Sequence, residues 1–260
     1  MDETPTKQAN QKAWLWTAVA SNFAAFAFFA SRAATALPKL LGDEFRGIIN
    51  CDRAKMYWDR AKMYWQAKRL PWCWAHLKRD IQSLIDHHDR QVKRLGFDLK
   101  RPMQNLFIYW RQFKSGEIGW ESFQSQMQPI REEVNRLLLH GRCSGNQRLV
   151  GMCRELYNHR EWLWTFIEVQ GIEPTNNATE RALRPAVIYR KLSFGTQSEA
   201  GSRFIERMPT VAETCRLQKR SVFKRLIAAV EANLNNQTAP RLFPLRERLL
   251  GIVTHDSEST

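Results

Sequence analysis

Two acidic residues stand beside strongly basic stretches of the chain, and they are the first candidates for chemistry. Residues 52–79 contain eight Lys or Arg against two Asp, and residues 181–225 contain eleven against three Glu. Asp52 opens the first stretch, and Glu180 directly precedes the second. Carboxylates hold divalent cations, while Lys and Arg position a phosphate backbone. This combination is what metal-dependent chemistry on a phosphodiester requires.

Each carboxylate also has a purely structural interpretation. Asp52 follows an apolar run and could be the N-cap of the next helix. Glu180 lies three residues after Asn177, the spacing of a capping box, so it could serve only the backbone of its own helix. Asp2 lies beside the chain terminus and indicates nothing by itself. The residues alone leave the metal-binding and the capping interpretations open.

The composition predicts a folded protein with a polyanionic partner. The 260 residues include 14 Phe, 10 Trp and 5 Tyr, which is enough apolar surface to exclude a disordered chain. Lys and Arg number 40 against 26 Asp and Glu, a formal charge of +14 that favours nucleic acid, with an anionic membrane as the alternative. Five widely spaced cysteines without a C-x-x-C pair exclude a disulfide framework and are typical of reduced thiols in the cytoplasm.

The first fifty residues predict an α/β sheet. Residues 13–31 carry no charge, a length that touches the lower limit of a membrane span and also resembles a signal-peptide core. Ser21 and Asn22 form a turn signal in the middle of this segment, so a hairpin of two buried strands explains it better. The predicted elements of this part are strands over 14–19 and 23–29, a short helix over 33–41 ended by Gly42, and a central strand over 45–51.

From residue 72 to about residue 171 the apolar periodicity becomes helical, and no strand signal interrupts it. The predicted helices are 81–95 ended by Gly96, 102–114 opened by Pro102, 123–139 kinked near Pro129, and 147–157, followed after a turn by 178–191 and by helical spacing over 204–231. This block has the size of an insertion. We divide the chain into 1–66 and 172–215 as the two parts of one core, 67–171 as a helical insertion, and 216–260 as a C-terminal helical segment and tail.

A seven-residue segment occurs twice in succession. Residues 52–58 and 59–65 have the identical sequence Asp-Arg-Ala-Lys-Met-Tyr-Trp. Seven residues are close to two helical turns, with an offset of roughly 20°. If the segment is helical, the duplication lengthens it and nearly preserves its face.

Several motifs together resemble the insertion-sequence-66 family of DDE transposases. They are Asp2-Glu-Thr4, Cys51-Asp52-Arg53, Trp72-Cys-Trp-Ala-His-Leu-Lys-Arg-Asp80, Pro174-Thr-Asn-Asn-Ala-Thr-Glu-Arg-Ala-Leu-Arg-Pro185, and Tyr189-Arg-Lys191. The Asn-Asn-x-x-Glu-Arg block is the most specific of them. The similarity extends from Asp2 to about Cys215. It implies an RNase H-like α/β fold, a mixed sheet flanked by helices with a helical insertion before the last acidic residue.

The resemblance also implies a catalytic triad of Asp2, Asp52 and Glu180. Three carboxylates would bind two Mg²⁺ ions, with Mn²⁺ as a substitute, for in-line hydrolysis and strand transfer on DNA. Because oxygen ligands prefer hard cations, Mg²⁺ or Mn²⁺ is favoured over zinc at this site. Because of the duplication, Asp59 is an alternative to Asp52. We favour Asp52 because it directly follows the predicted strand, and a metal ligand needs a rigid sheet edge.

Further residues of these motifs are candidates for supporting roles. Asn177 is expected to cap the helix that presents Glu180, while Trp72 and Trp74 are expected in the core. Cys73 and His76 form only half of a zinc site. The candidate DNA contacts are Arg53, His76, Lys78, Arg79, Arg181, Arg184, Arg190 and Lys191, for several of which a solvated surface charge is the alternative.

The start of the chain departs from the family pattern. Only Met1 precedes Asp2, so we expect the strand carrying this aspartate to be largely missing, together with an N-terminal DNA-binding region. We therefore expect a truncated, impaired transposase that shows little specific cleavage of element ends. The competing hypothesis is a catalytically inactive, basic DNA-binding remnant that interferes with an intact transposase. The expected partners are transposon-end and target DNA, further copies of the chain on paired ends and helper proteins, in the nucleoid region of the cytoplasm and without a membrane.

Overall fold

The computed structural model describes residues 1–33, 35–42, 45–53 and 70–242. These residues form two compact units, of which the first comprises Met1–Asp2 and Ala33–Ala178, and the second comprises Glu3–Arg32 and the chain from Thr179 onward. The strands are β1 (Asp2–Gln8), β2 (Gln11–Val19) and β3 (Ala24–Phe29). The helices are α1 (Ala36–Leu41), α2 (Trp74–Ile85), α3 (Arg90–Ser115), α4 (Trp120–Arg142), α5 (Gln147–Asn158), α6 (Arg160–Leu163), α7 (Thr165–Glu168), α8 (Asn177–Ser193), α9 (Glu199–Leu217) and α10 (Val222–Leu234).

The three strands form one sheet in the order β1-β2-β3. Strands β2 and β3 are antiparallel, with Trp14 opposite Phe29 and Val19 opposite Ala24, which confirms the predicted hairpin. The turn between β1 and β2 is formed by Ala9 and Asn10, both at positive φ, as a two-residue hairpin turn requires. The uncharged segment 13–31 therefore lies mainly in two strands, and no helix within the described residues is long and apolar enough to cross a membrane.

Side chains of α9 satisfy the free edge of β3. The backbone nitrogens of Ala24 and Phe26 donate to the hydroxyls of Thr214 and Thr210, at 3.1 and 3.0 Å. Two residues further along β3, the backbone nitrogen of Phe28 donates to the carboxylate of Glu206 at 2.6 Å. Two strand residues advance by about 6.6 Å and four helix residues by about 6.0 Å, so the spacings match. A sheet edge that would otherwise expose its donors is thereby covered.

The core of the second unit lies between this sheet and its helices. Leu15 and Phe26 of the strands pack with Leu183 and Ala186 of α8 and with Ile205 of α9. All five are nearly inaccessible to solvent. The burial of Leu15 and Phe26 on one face of the sheet and the apolar face of α8 are thus explained by one shared layer.

The first unit is an antiparallel succession of helices around an aromatic core. Trp72, Trp74 and Trp164 are buried, as are Phe123 and Phe166, and the Trp74 and Trp164 rings lie 5.1 Å apart. The Trp74 indole nitrogen donates to the Leu163 carbonyl at 2.7 Å. The prediction that Trp72 and Trp74 belong to the core is confirmed.

Two predicted helix boundaries in this unit are wrong. Gly96 was expected to end one helix and Pro102 to open the next, but both lie inside the 26-residue α3. Gly96 is buried where α2 packs against α3, and a Cβ at this position would lie 2.8 Å from the backbone nitrogen of Ile85. The glycine is therefore explained by close helix packing. The actual break falls before Asp89, whose carboxylate caps α3 by accepting from the nitrogens of Gln91 and Val92.

The predicted central strand over 45–51 is also wrong in the described residues. Only Cys51 pairs as a strand residue, in an isolated parallel bridge with Trp72. Its neighbour Asn50 instead accepts a hydrogen bond from the nitrogen of Met1. The backbone of Asn50 and Cys51 is thus bonded to two separate parts of the chain, Met1 and residues 71–73, and no continuous ladder forms.

The observed architecture is α/β, with a small antiparallel sheet and many helices. The mixed sheet that we expected is absent from the described residues, where parallel pairing is limited to two isolated bridges. Strand β1 was expected to be largely missing, whereas it has seven residues and begins at Asp2. The repeat over 52–65, including Asp59, lies outside the described residues apart from Asp52 and Arg53.

Candidate active site

Hydrogen bonds of the first unit connect the chain segments that carry the predicted carboxylates. The backbone nitrogen of Met1, the residue before Asp2, donates to the carbonyl of Asn50 at 2.5 Å. The side chain of Asn176 donates to the carbonyl of Met1 at 2.7 Å, and its oxygen lies 3.4 Å from the nitrogen of Met1. Residues just before Asp2, just before Asp52 and just before the helix that bears Glu180 are therefore joined directly.

The Asn50 side chain strengthens the same connection. Its amide nitrogen donates to the carbonyls of Glu173 and Thr175, at 2.7 and 3.2 Å. The backbone nitrogen of Asn176 donates to the sulfur of Cys73 at 3.1 Å. The Cys73 thiol is thus buried and accepts a hydrogen bond from the segment that precedes α8. Sequence analysis missed Asn50 and Asn176, although Asn176 belongs to the Asn-Asn block and could have been found there.

Asp52 lines an open cavity of about 270 Å³ in the first unit. The other lining residues are Arg53, His76, Arg79 and Asp80. His76 and Arg79 come from α2, one helical turn apart, and the structure brings both beside Asp52. Their predicted contact with DNA stays a prediction. Lys78 is exposed on the same helix and does not line the cavity.

Arg53 is engaged with protein carboxylates. Its guanidinium lies 2.5 Å from Asp80 and 3.4 Å from Glu155, and it lies over the ring of buried Trp72 at 6.0 Å. A guanidinium fixed by two carboxylates and an aromatic ring holds the backbone beside it in place. The arrangement favours a role in positioning the adjacent Asp52 over the predicted contact with DNA.

Glu180 lies in the first turn of α8 and is half-buried. The helix begins at Asn177 itself, whose side chain is exposed, and the preceding Asn176 is the buried amide. Arg181 and Arg184 are both exposed on α8, where a ligand could reach them. The capping role of Asn177 and the roles of these arginines stay predictions.

Arg190 and Lys191, the last two candidate DNA contacts, line a cavity of about 450 Å³ in the second unit. Lys7 and Lys12 of the β1–β2 hairpin line it as well. Sequence analysis missed both lysines because they lie outside the two basic stretches. Only the fold places them beside the end of α8.

No group of three or more His, Cys, Asp or Glu side chains in the described part of the chain is arranged to hold a metal. Burial raises the pKa of the Cys153 thiol to about 11, so this cysteine stays protonated and is unsuited to be a ligand at neutral pH. The five cysteines, all within the described residues, form no disulfide. Asp2, Asp52 and Glu180 are all among the described residues and do not form such a group, so their role as metal ligands stays a prediction.

Comparison with known proteins assigns the chain to a family. The sequence model of the transposase IS66 family matches residues 1–203, most of the chain, so the protein belongs to the IS66 family of transposases. The uncharacterized protein y4qI of Sinorhizobium fredii (strain NBRC 101917 / NGR234) is 29% identical over 154 residues. The aligned part covers 56% of this chain and 27% of that relative, so the chain spans about a quarter of the relative's length. No solved structure matches the chain.

Proposed function

We propose that the chain carries the catalytic part of a DDE transposase, which cleaves DNA at the end of an insertion sequence and joins that end to a target. Asp2, Asp52 and Glu180 are the proposed catalytic carboxylates. The observation that carries the proposal is the set of hydrogen bonds among Met1, Asn50 and Asn176. These bonds fix Met1, directly before Asp2, Asn50, two residues before Asp52, and Asn176, directly before the helix that bears Glu180.

The donor set fits a hard divalent cation. The candidate ligands are carboxylate oxygens, which Mg²⁺ and Mn²⁺ prefer over softer donors. Two such cations would activate the attacking oxygen and stabilise the leaving oxygen. The chain's own contribution is to hold the carboxylates rigidly and to position the phosphate.

Basic groups beside Asp52 suit the positioning of a phosphodiester. His76 and Arg79 line the same cavity as Asp52, and the guanidinium of Arg79 is exposed to an incoming ligand. Arg181 and Arg184 follow Glu180 on α8 and are likewise exposed. Contacts of this kind fix the DNA backbone without reading its sequence. We propose the same role for Lys78, which is exposed on α2 but lies outside the cavity.

The proposal includes an RNase H-like core. Residues 1–66 and 172–215 would form it, residues 67–171 would be the helical insertion, and 216–260 would follow as a C-terminal segment. The largely helical stretch from α2 to α7 supports the insertion. Action as a homo-oligomer on paired ends, help from proteins of the same element and association with the nucleoid belong to this proposal. They follow from family membership.

Plasmid nicking tests the proposal without requiring recognition of a specific end. The purified chain is incubated with supercoiled DNA and Mn²⁺, and open-circle product is measured with and without chelator. We expect slow, metal-dependent nicking that Asp52→Asn and Glu180→Gln reduce at least about a hundredfold, since each removes a metal ligand. Asp59→Asn is the matched control and should retain the activity of the parent chain.

Two results would contradict the proposal. If Asp59→Asn lost nicking while Asp52→Asn retained it, the metal ligand would be assigned to the second copy of the repeat. DNA binding without metal-dependent nicking, unchanged by Asp52→Asn and Glu180→Gln, would favour the inactive DNA-binding remnant.

A further inference from the structure

The cavity of the second unit combines positive charge with an exposed aromatic ring. Its cationic lining residues are Lys7, Lys12, Arg190 and Lys191, and none of the described residues that line it is acidic. Phe194 lines it too, with 80% of its surface exposed. A cavity of about 450 Å³ with this lining has the charge to attract phosphates and a flat apolar surface for a ring.

Phe194 is held in an unusual backbone conformation. It follows the last residue of α8 at φ +59°, in the left-handed region where a bulky residue is rare and glycine is common. The next residue, Gly195, has φ +109°, and a Cβ there would lie 2.5 Å from the carbonyl oxygen of Lys7. This backbone conformation presents the Phe194 ring at the mouth of the cavity, next to the segment that carries Lys7.

The turn after Phe194 is fixed to β1. The nitrogen of Thr196 donates to the carbonyl of Lys7 at 2.9 Å, and the nitrogen of Ala9 donates to the carbonyl of Thr196 at 2.8 Å. These bonds form a parallel bridge between Gln8 and Thr196. The cavity floor is therefore preformed, and Phe194 and Lys7 are presented on neighbouring, connected segments.

Arg190 is anchored beside the cavity. Its Nη1 donates to the carbonyl of Pro5 in β1, and its Nε is buried. The guanidinium therefore fixes the end of α8 against β1 and adds positive charge to the cavity wall.

We propose that this cavity binds single-stranded DNA, with phosphates on Lys7, Lys12 and Lys191 and an unpaired base stacked on Phe194. In a duplex the bases are stacked on one another, so Phe194 could contact only an unpaired one, and that requirement selects the single strand. The inference rests on the proposed function only in that DNA is the nucleic acid. It assigns to the second unit a strand-binding role separate from cleavage.

Binding of a fluorescein-labelled oligothymidylate, followed by anisotropy in the presence of chelator, tests the aromatic contact. Phe194→Ala should weaken this binding about tenfold, because stacking of one base is lost, and should leave the affinity for a hairpin duplex unchanged. Phe194→Tyr should restore it. Phe223→Ala is the matched control, since Phe223 on α10 is 72% exposed and lies outside the cavity.

The salt dependence of the same binding tests the lysines. Lys7→Gln with Lys12→Gln should lower the slope of log affinity against log salt by about 1.4, because each phosphate contact on a single strand contributes roughly 0.7. Lys219→Gln with Lys224→Gln removes the same charge from exposed positions elsewhere in the second unit and should leave the slope almost unchanged.

The inference is overturned if Phe194→Ala binds the oligothymidylate as well as Phe223→Ala does, or if it weakens duplex binding equally. An oligomer that dissociates in Phe194→Ala with unchanged DNA affinity would show that the ring contacts another protein copy. Since chelator is present throughout, Asp52→Asn should bind the single strand normally. If the parent chain shows no metal-dependent nicking but binds the single strand through Phe194, the proposed function is contradicted and this inference stands.

Discussion

Asn176 is the side chain that connects the first segment of the chain to the start of α8. It is 3% exposed, and both ends of its amide face the backbone of Met1. Replacement by alanine leaves buried backbone groups without partners, so Asn176→Ala should lower the free energy of unfolding by about 2 kcal/mol.

Asn177→Ala is the natural comparison, because the sequence predicts Asn177 as the helix cap while the structure leaves its side chain exposed. We expect it to change the free energy of unfolding by less than about 0.5 kcal/mol, as measured by denaturant titration. A cost of about 1 kcal/mol would restore the predicted capping role. An Asn176→Ala variant as stable as the parent chain would remove the connection proposed for the three segments.

Substitutions of Arg53 distinguish a role in positioning Asp52 from a role in binding DNA. Its contacts with Asp80 and Glu155 hold the backbone next to Asp52. Arg53→Met should therefore lower the nicking rate by about tenfold at saturating DNA, with partial recovery in Arg53→Lys, and leave the dissociation constant for DNA nearly unchanged. Arg184→Met should do the reverse, because Arg184 is exposed on α8. The opposite split would return Arg53 to its predicted role as a phosphate contact.

At the scale of the elements, two glycines in helices test whether α2 packs closely against α3. Gly96 has no room for a side chain against Ile85, whereas Gly151 on α5 faces open space. Gly96→Ala should reduce the free energy of unfolding by about 1–3 kcal/mol through overpacking. Gly151→Ala should increase it by about 0.5–1 kcal/mol through helix propensity. Thermal unfolding of the two variants measures both effects, and a stabilising Gly96→Ala would contradict close packing of α2 on α3.

Local sequence signals predicted some of the helices and strands correctly and others wrongly. The β2–β3 hairpin and helices α5 and α8 could be predicted because a turn signal or a regular apolar period lies within each segment. Gly96 and the run 45–51 misled because their conformations depend on partners far along the chain. Gly96 packs against Ile85, and Asn50 is bonded to Met1. No local pattern reports such partners.

The candidate site was likewise predictable only in part. The order of the motifs predicted Asp2, Asp52 and Glu180 as the carboxylates. The residues that hold their segments, Asn50 and Asn176, were found only from hydrogen bonds between segments more than a hundred residues apart. Lys7, Lys12 and Phe194 carry no motif. They became candidates only because the hairpin and the end of α8 are adjacent in the second unit.

At the scale of the whole molecule, the charge of +14 is concentrated in the two basic stretches that adjoin Asp52 and Glu180. Such a distribution attracts DNA to the same regions that carry the proposed carboxylates. The central claim is that these carboxylates hold two divalent cations when DNA is bound.

Titration of the chain with Mn²⁺ in the presence of a duplex oligonucleotide, with free Mn²⁺ measured by electron paramagnetic resonance, tests this claim most directly. The account predicts two bound Mn²⁺ per chain, with at least one lost in each of Asp2→Asn, Asp52→Asn and Glu180→Gln, and none lost in the Asp59→Asn control. Stoichiometry that is the same in all four variants and the parent chain would contradict it.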